Sequence, residues 1–328
     1  MINVTAAIIQ KDGKVFAARR KAGSHLAGYW EFPGGKLEEG ETPEECLRRE
    51  LAEEFKIDSN IGLYVGESIY DYGTKVICLM AYLVEHVEGV FELIDHDDIR
   101  WLSLDELNEV NWAPADIPLV EQYKALAGTT EYYRTNAESY CDETIDLDLL
   151  HNYPRFLVHI PEKGHILDLG CGSGRDSNAF LNAGYVVTAM DISNDVATYA
   201  EKIIGQPVLV SSFQEMSFCD QFDGVWACAS LLHCPRSQIV DVLRRVAVSL
   251  KSNGVAYMSF KWGSDETVDD KGRYFNNYTL ESLHDLINPI SSMEIIDEWV
   301  ESKLLRGIEQ KWTNILIRKI DSSSNQVV

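Results

Sequence analysis

Three glutamates in the first half of the chain are spaced so that their carboxylates share one face of a helix. Glu50, Glu53 and Glu54 stand at positions i, i+3 and i+4, and residues with that spacing are neighbours on a helix surface. Carboxylates this close repel one another, and divalent cations between them would relieve the repulsion. Mg²⁺ takes oxygen ligands and is often held jointly by carboxylates and substrate phosphates. The spacing alone leaves two interpretations open, a solvated acidic face and a metal site.

A second group of informative residues lies in a glycine-rich turn after an apolar strand. Asp168 stands within the strand, and Gly170, Gly172 and Gly174 follow it. Glycines allow the backbone to turn sharply and to approach a ligand at the carboxyl edge of a sheet. The next strand ends in Asp191, which is placed to accept hydrogen bonds from both hydroxyls of a ribose. The Gly-x-Gly-x-Gly spacing differs from the Gly-x-Gly-x-x-Gly of NAD sites, which makes NAD the weaker alternative.

Local signals predict the elements that position these residues. Thr42 as N-cap, Pro43 at the first helical position and Glu45 three residues after Thr42 form a capping-box start for a helix near residues 43–55. Other predicted elements of the first half are strand-like runs at residues 4–10, 15–18 and 75–84 and a last helix over 117–126 that stops at Gly128.

The length of 328 residues exceeds what one hydrophobic core usually supports, so two domains are expected. We place the boundary at Thr129. After it, a helical stretch over 132–157 and alternating strand and helix patterns from residue 166 predict a doubly wound α/β sheet. The expected domains are 1–128 and 129–321, followed by a flexible tail over 322–328.

The composition argues against several classes of protein. No apolar run approaches the roughly 20 residues of a membrane span, and the first residues are typical of a strand and not of a signal peptide. The formal net charge is −23, with an acidic excess in both halves, so long DNA or RNA is not an expected partner. The seven cysteines are scattered without a Cys-x-x-Cys pair, which favours a reducing cytoplasm over a disulfide framework.

The residues around the acidic helix resemble the Nudix box. Gly35, Glu41 and the run Arg49-Glu50-Leu51-Ala52-Glu53-Glu54 match its spacing, whereas Lys56 stands where the family usually has glycine. The resemblance covers residues 1–126. Its segments 30–35 and 113–119 are similar to the MutT branch, and particularly to its CTP pyrophosphohydrolases.

This resemblance implies hydrolysis of a nucleoside triphosphate to a monophosphate and pyrophosphate with Mg²⁺ or Mn²⁺. Glu53 and Glu54 would be metal ligands, and Glu50 either a ligand or the base that activates water. Arg49 would orient a glutamate, and Arg20 and His25 would hold phosphates. A further carboxylate is expected from the turn that contains Asp95, Asp97 and Asp98.

Asp116 is the residue on which base preference depends in this interpretation. Relatives that read guanine carry asparagine at the matching position, and an ionised aspartate only accepts hydrogen bonds, which suits the exocyclic amine of cytosine. We therefore expect a cytosine nucleotide, natural or modified, as substrate. The alternative is that Asp116 merely caps the last helix.

The glycine turn and Asp191 resemble the class I methyltransferases and their S-adenosylmethionine site. The segments 222–233, 253–261 and 272–275 are similar to a small-molecule subgroup related to the tellurite-resistance methyltransferases. The resemblance implies that adenine lies near Ser212 and Phe213, where many relatives carry aspartate instead of Ser212. The remaining cofactor-binding residues would be Asp168, Gly170, Gly172, Gly174 and Asp191.

Candidate residues for methyl transfer follow from the same resemblance. His233 lies at the ligand edge of the sheet and is either a base for the methyl acceptor or a loop histidine bonded to backbone. Arg273 and Tyr274 are candidate contacts of the acceptor. Tyr133 and Tyr140 either cover the cofactor or pack in the core.

The fold class expected is α/β with two domains: an N-terminal Nudix α/β/α sandwich with a mixed sheet, and a C-terminal Rossmann-like class I methyltransferase sheet flanked by helices. The leading hypothesis is a bifunctional enzyme acting on a nucleotide and on a small methyl acceptor. The alternative makes the Nudix half a nucleotide-sensing or dimerising module that regulates the methyltransferase. Nudix domains commonly pair, so the resemblance makes a homodimer one expectation.

Overall fold

Residues 1–147, 151–305 and 308–320 are described by a computed structural model, in which the chain forms two units, Met1–Lys124 and Ala125–Val328. The predicted tail over residues 322–328 lies outside the described residues. The predicted two-domain α/β class is confirmed, since each unit has its own sheet with helices packed against it.

A mixed six-stranded sheet forms the framework of the first unit. Its order is β3-β2-β1-β5-β4, with β6 paired to β2. β1 and β5 run parallel, and the other described pairs are antiparallel. The strands are β1 (Ile2–Lys11), β2 (Lys14–Arg20), β3 (Trp30–Glu31), β4 (Asp58–Asp71), β5 (Val76–Glu88) and β6 (His96–Leu102). The long strand β4 was not among the predicted elements.

Helix α1 (Pro43–Phe55) packs on this sheet and presents the acidic residues. Thr42 accepts from the Glu45 amide, and Glu45 accepts from the Thr42 amide, so the predicted capping box is present. Leu47, Leu51 and Phe55 are buried in the core against β1 and β2 residues. The helix ends at Lys56, which has a left-handed φ of 57°. Lysine thus takes the backbone conformation that glycine adopts most easily at a helix end.

Helix α2 (Ile117–Thr144) corrects two predictions. It does not stop at Gly128, and its only non-helical residue is Asn136, where the helix is kinked. Gly128 lies against the backbone of Gly272, where an added Cβ would be 2.3 Å from the Gly272 carbonyl oxygen. Glycine therefore serves close packing here and not helix termination. The helical stretch predicted over 132–157 ends at Thr144, and α3 (Tyr153–Leu157) is a separate short helix.

The second unit is built on a seven-stranded sheet of order β14-β15-β11-β10-β7-β8-β9. The strands from β11 to β9 are parallel, and β15 and β14 extend the sheet antiparallel. The strands of this unit are β7 (His165–Leu169), β8 (Val186–Asp191), β9 (Val208–Val210), β10 (Phe222–Ala227), β11 (Leu250–Lys261), β14 (Met293–Leu305) and β15 (Ile308–Lys319), with β12 (Glu266–Val268) and β13 (Tyr274–Asn276) forming a separate hairpin.

Four helices complete this unit: α4 (Arg175–Asn182), α5 (Asn194–Ile204), α6 (Ile239–Ser249) and α7 (Leu280–Ile287). Because the central strands are parallel, their carboxyl ends meet at one edge of the sheet, where ligands bind in such folds. The glycine turn, Asp191 and His233 all follow strands at this edge. Among the helices of the described part, none is long and apolar enough to span a membrane.

All seven cysteines are free, and they lie within the described residues. Cys219 is exposed and Cys228 half-buried, whereas the other five are buried.

Candidate active sites

The first site begins where a loop crosses the start of β1 and meets helix α1. The Gly35 carbonyl accepts from the Thr5 amide at 2.8 Å. An added Cβ on Gly34 would lie 2.0 Å from the Thr5 carbonyl oxygen, and one on Gly35 would lie 2.0 Å from Cδ of Glu50. The two glycines let the loop backbone approach β1 and let the Glu50 carboxylate pack directly on the loop.

Arg49 holds this arrangement together. Its Nε and Nη2 donate to the two carboxylate oxygens of Glu41, both at 2.9 Å, and its Nη1 donates to Glu50 at 2.8 Å. The hydrogen bond from Arg49 lowers the pKa of Glu41 to about 2. Nη1 also lies 3.6 Å from the exposed carboxylate of Glu53. Arg49 therefore positions Glu50, the role that the resemblance implies for it.

Glu54 is half-buried, as is Glu50, whereas Glu53 is exposed. Burial, followed by the charges of Glu50, Glu31 and Asp95, raises the pKa of Glu54 to about 8, against which Arg20 acts more weakly. Within the described residues no hydrogen-bond donor contacts its carboxylate. As placed, no three His, Cys, Asp or Glu side chains of the described part form a group that could hold a metal ion. The donor set nevertheless fits a hard cation. The negative charges of Glu50, Glu31 and Asp95 act on the Glu54 carboxylate, and carboxylate oxygens are the ligands that Mg²⁺ prefers.

A pocket beside these carboxylates brings together the other predicted residues of the first unit. Its lining includes Thr5, Arg20, His25, Glu31, Tyr72 and Asp116. Arg20 donates through Nε to the His25 carbonyl at 2.6 Å and through Nη1 to Glu31 at 2.5 Å. Of the three candidate acids after β5, Asp95 pairs with Lys21 at 2.9 Å and Asp97 with Arg19 at 2.6 Å. Asp98 lies 3.6 Å from Arg19.

Sequence reasoning missed Glu31, which connects two strands in this pocket. Its second carboxylate oxygen lies 2.9 Å from Nε2 of His96, a buried imidazole stacked on Phe55. Residue 31 lies within the segment 30–35, but the partner at residue 96 is 65 positions away. No local pattern could therefore identify the contact.

Asp116 lines the pocket as a buried residue, and its surroundings oppose the ionised state expected from the sequence. It is buried, and its Oδ1 accepts from the Phe32 amide at 2.9 Å. The described hydrogen bond of its carboxylate thus goes to the loop after β3 and not to helix α2. Burial, and then the charge of Glu31, raise the pKa of Asp116 well above its usual value. The ionised state assumed from the sequence is therefore disfavoured, and a neutral carboxyl both donates and accepts.

The second site is built around the turn after β7. Gly170, Gly172 and Gly174 all have left-handed φ values, between 53° and 80°. The Gly172 amide donates to Oδ2 of Asp191 at 3.0 Å, and the Ser193 amide donates to Oδ1 at 2.9 Å. These bonds fix the Asp191 carboxylate at the end of β8, beside the glycine turn.

Asp168 has a supporting position below that turn. It is buried, and its Oδ2 accepts from the Ser177 hydroxyl at 2.6 Å. Burial, and then the nearby Asp176 carboxylate, raise the pKa of Asp168. The hydrogen bond from Ser177 connects β7 to α4, the helix that follows the glycine turn. Asp168 therefore helps to fix the position of that turn.

The adenine candidates lie on the other side of Gly170. An added Cβ on Gly170 would be 3.6 Å from Cζ of Phe213, so that ring borders the turn. Ser212 is buried, and its hydroxyl bonds the Glu215 carboxylate at 2.8 Å. Ser212 therefore holds the short helical turn that carries Phe213.

Tyr133 and Tyr140 from helix α2 line the same edge. An added Cβ on Gly172 would be 3.4 Å from the Tyr140 hydroxyl. The two tyrosine rings make an edge contact at 4.8 Å. The Tyr133 hydroxyl lies 2.9 Å from Nε2 of His233, and Nδ1 of His233 lies 2.6 Å from the Tyr274 carbonyl. The backbone contact expected for a loop histidine is therefore present, together with a second contact to a side chain at the site.

The hairpin residues 273 and 274 have different roles. Arg273 donates through Nε and Nη2 to Oδ2 of Asp269 at 2.9 and 2.7 Å. Tyr274 is buried and its hydroxyl bonds Glu266, so its side chain faces the hairpin partner strand.

Lys261, at the end of β11, was not singled out from the sequence. Its Nζ lies 3.2 Å from the centroid of the Phe275 ring.

Comparisons with known proteins match each half of the chain to a different family model. A family model described as NUDIX domain matches residues 1–123, and one described as Methyltransferase domain matches residues 166–254. The chain is 42% identical over 126 residues to the CTP pyrophosphohydrolase of Escherichia coli (strain K12), across 38% of this chain and 93% of that protein. It is 35% identical over 126 residues to the 8-oxo-dGTP diphosphatase of the same organism, across 38% of this chain and 98% of that protein.

The second unit has a similar solved structure. It is the Burkholderia thailandensis 1,6-didemethyltoxoflavin-N1-methyltransferase with bound 1,6-didemethyltoxoflavin and S-adenosylhomocysteine. The TM-score is 0.51 at 20% identity, over 64% of this chain and 93% of that chain, a likeness that concerns the fold alone. The chain therefore belongs to the Nudix family, and it is an enzyme in which a Nudix hydrolase domain is followed by a methyltransferase domain.

Proposed function

We propose that the chain is a bifunctional enzyme. Its first unit hydrolyses a cytosine-type nucleoside triphosphate to the monophosphate and pyrophosphate with Mg²⁺ or Mn²⁺, and its second unit methylates a small acceptor with S-adenosylmethionine. The observation that carries the first activity is the Glu54 carboxylate, on which burial and the charges of Glu50, Glu31 and Asp95 act. The pocket lined by Arg20, His25 and Asp116 supports the same activity.

The carboxylates of α1 have distinct positions in this proposal. Glu53 is exposed and Glu54 is half-buried, so together they would hold a cation between solvent and pocket. A divalent cation supplies positive charge against the triphosphate and lowers the pKa of a water molecule. Glu50 is fixed by Arg49 and by the close approach of Gly35. A fixed carboxylate at this position suits a ligand or a base for the attacking water.

The phosphate and base contacts come from the pocket. Arg20 presents a guanidinium that can bond phosphate oxygens in pairs, and Glu31 holds it in place. A neutral Asp116 offers one acceptor and one donor, which match the amine and the ring nitrogen N3 on the edge of cytosine. The similarity to a CTP pyrophosphohydrolase supports the same base.

The second activity is supported by the residues around the glycine turn. Asp191 accepts two backbone amides and keeps lone pairs that can accept ribose hydroxyls. Phe213 borders the turn where an adenine would lie. S-adenosylmethionine supplies an electrophilic methyl group, and the chain must orient a nucleophile toward it and exclude water. Tyr133, Tyr140 and His233 are the side chains that enclose this edge of the sheet.

A single mass-spectrometric assay tests both activities. The full chain is incubated with Mg²⁺, S-adenosylmethionine and a panel of natural and modified nucleotides, and monophosphate, pyrophosphate and methylated products are followed together. We expect CTP or a modified cytosine nucleotide to be cleaved, and Glu53→Gln to lose this cleavage. Glu44→Gln, on the first turn of the same helix, is the matched control.

Two outcomes would change the proposal. If no nucleotide is hydrolysed while nucleotide alters methyl transfer even in Glu53→Gln, the Nudix half acts as a sensor. If S-adenosylhomocysteine fails to bind the chain, and Asp191→Asn does not change the amount of methylated product, the methyl-transfer half of the proposal is wrong. A methylated nucleotide product would join the two activities in one reaction sequence.

A further inference from the structure

Lys261 is a half-buried cation without an acidic partner. It ends strand β11, and its Nζ lies 3.2 Å from the centroid of the Phe275 ring. In the described part of the chain, no carboxylate or other hydrogen-bond acceptor contacts this ammonium group. Burial, and then the neighbouring Arg273, lower the pKa of Lys261 to about 8. Asp269 acts on Lys261 in the opposite direction but without contact. A half-buried ammonium group with no carboxylate in contact is costly, and an anionic ligand would relieve that cost.

Arg273 adds a second cation at the same ring. Its guanidinium carbon lies 5.2 Å from the Phe275 centroid and 4.4 Å from that of Tyr132. Asp269 neutralises one charge through its bonds to Arg273. The cluster of Lys261, Arg273 and Asp269 therefore keeps a net positive charge, within a chain whose formal charge is −23.

The position of this cluster relates it to the methyl acceptor. The Phe275 ring also contacts His233, with centroids 5.0 Å apart, and His233 bonds Tyr133 at the edge of the cofactor site. The glycine turn follows β7, whereas Lys261 ends β11, and β10 lies between these strands. Two strand spacings separate them by about 10 Å. The cluster thus lies two strands away from β7, the strand that precedes the glycine turn.

We propose that Lys261 and Arg273 form an anion-binding subsite for the methyl acceptor, which therefore carries a carboxylate or phosphate group. The inference rests on the proposed methyl transfer and adds the chemical class of its substrate. Both cations can make charge-assisted hydrogen bonds to such a group. The carboxylate of the cofactor's own methionine moiety is the other source of the same chemistry, so the test has to separate the two.

Site-resolved acylation of lysines tests the subsite in the full chain. The protein is saturated with S-adenosylhomocysteine, acylated briefly near pH 8, and digested for mass spectrometry, with and without phosphate or acetate as probes. We expect either anion to reduce labelling of Lys261 about tenfold, the loss of reactivity of a largely occupied site. Lys251 lies on the same strand and pairs with Asp223 at 2.8 Å, so its labelling is the internal control.

The source of the anion is separated by the cofactor analogue used. If S-adenosylhomocysteine protects Lys261 but 5′-methylthioadenosine does not, and phosphate or acetate adds no protection, the site binds the cofactor carboxylate and the proposal is overturned. If Lys261 stays reactive with S-adenosylhomocysteine and is protected by phosphate or acetate, the subsite belongs to the acceptor.

A variant and a binding measurement complete the test. Arg273→Gln should weaken protection of Lys261 about tenfold, as expected for the loss of one charged hydrogen bond, while calorimetric binding of S-adenosylhomocysteine is unchanged. If neither phosphate nor acetate reduces the labelling of Lys261, the inference is overturned. If S-adenosylhomocysteine itself does not bind, the proposed methyl transfer fails instead, and the two failures are thereby distinguishable.

Discussion

The Tyr133 hydroxyl lies 2.9 Å from Nε2 of His233, although the two residues are 100 positions apart in the chain. The other ring nitrogen, Nδ1, lies 2.6 Å from the Tyr274 carbonyl, which can only accept. Nδ1 therefore carries the proton, and Nε2 accepts from Tyr133. The pair presents a neutral imidazole with its direction and tautomer set by two partners.

The His233 imidazole should remain neutral down to about pH 5. Burial lowers its pKa to about 4, and the charges of Arg273 and Lys261 act in the same direction, against the Tyr274 carbonyl. An NMR titration of the histidines checks this, with His233→Gln identifying its resonance. A midpoint near the ordinary value of about 6.5 would contradict the described environment.

The stability of the first unit should fall as pH rises from about 4.5 to about 8 in the absence of divalent metal. Glu54 has a pKa near 8 in the folded chain, against 4.5 ordinarily, so folding favours its protonated form. That contribution is complete below about pH 4.5 and is lost as pH rises through about 8. Calorimetric melting of the full chain in EDTA across this range is the measurement.

Glu54→Gln separates this effect from other titrations. The variant cannot ionise, so its melting transition should depend less on pH than that of the native chain. Added Mg²⁺ should stabilise the native chain most at high pH, where Glu54 is ionised. Equal pH slopes for native and variant would show that Glu54 is not the source.

Gly35→Ala should lower nucleotide hydrolysis about 100-fold, because misplacing a catalytic group by about 1 Å costs that much. An added Cβ at residue 35 would lie 2.0 Å from Cδ of Glu50 and must displace this carboxylate. Gly40→Ala is the control, since it introduces strain at a φ of +85° with nothing within 4 Å. Gly35 itself does not have a positive φ, so a loss confined to Gly35→Ala would report the displaced Glu50 carboxylate. Similar losses of activity in both variants would contradict that cause.

Asp116 should make the base preference depend on pH. Its pKa is raised well above the ordinary value by burial and by Glu31, so the ratio of kcat/KM for CTP to that for GTP should fall as pH rises and the donor is lost. In Asp116→Asn the ratio should be independent of pH, and in Asp116→Ala the preference for CTP should disappear. Ratios unchanged in both variants would exclude Asp116 from base reading.

Elements set by neighbouring residues were predictable from the sequence. The capping box of Thr42 and Glu45 and the turn at Gly170 depend on residues within a few positions. The prediction that the helix stops at Gly128 was wrong. Gly128 packs against Gly272, which is 144 positions away in the sequence, and no local pattern indicates that contact. The absence of proline from residues 119–144 is also compatible with the long helix.

The site contacts that escaped prediction are long-range for the same reason. Glu31 meets His96 across 65 positions, and Lys261 reaches Phe275 only once β11 and the hairpin are in place. The ionisation state of Asp116 depends on burial, which spacing alone does not reveal. Family resemblance predicts which residues are candidates for the chemistry, whereas the direction of their pKa shifts depends on burial in the folded chain.

The distribution of the seven thiols makes the native chain suitable for spectroscopy without cysteine replacement. Cys219 is the exposed cysteine. Burial raises the pKa of six other cysteines, Cys46, Cys78, Cys141, Cys171, Cys228 and Cys234, and thiolates react faster than thiols. A maleimide fluorophore should therefore attach at Cys219. That residue precedes β10, whose opposite end leads to His233, so the dye would lie about 20 Å from the ligand edge. This distance suits energy transfer to a fluorescent cofactor analogue.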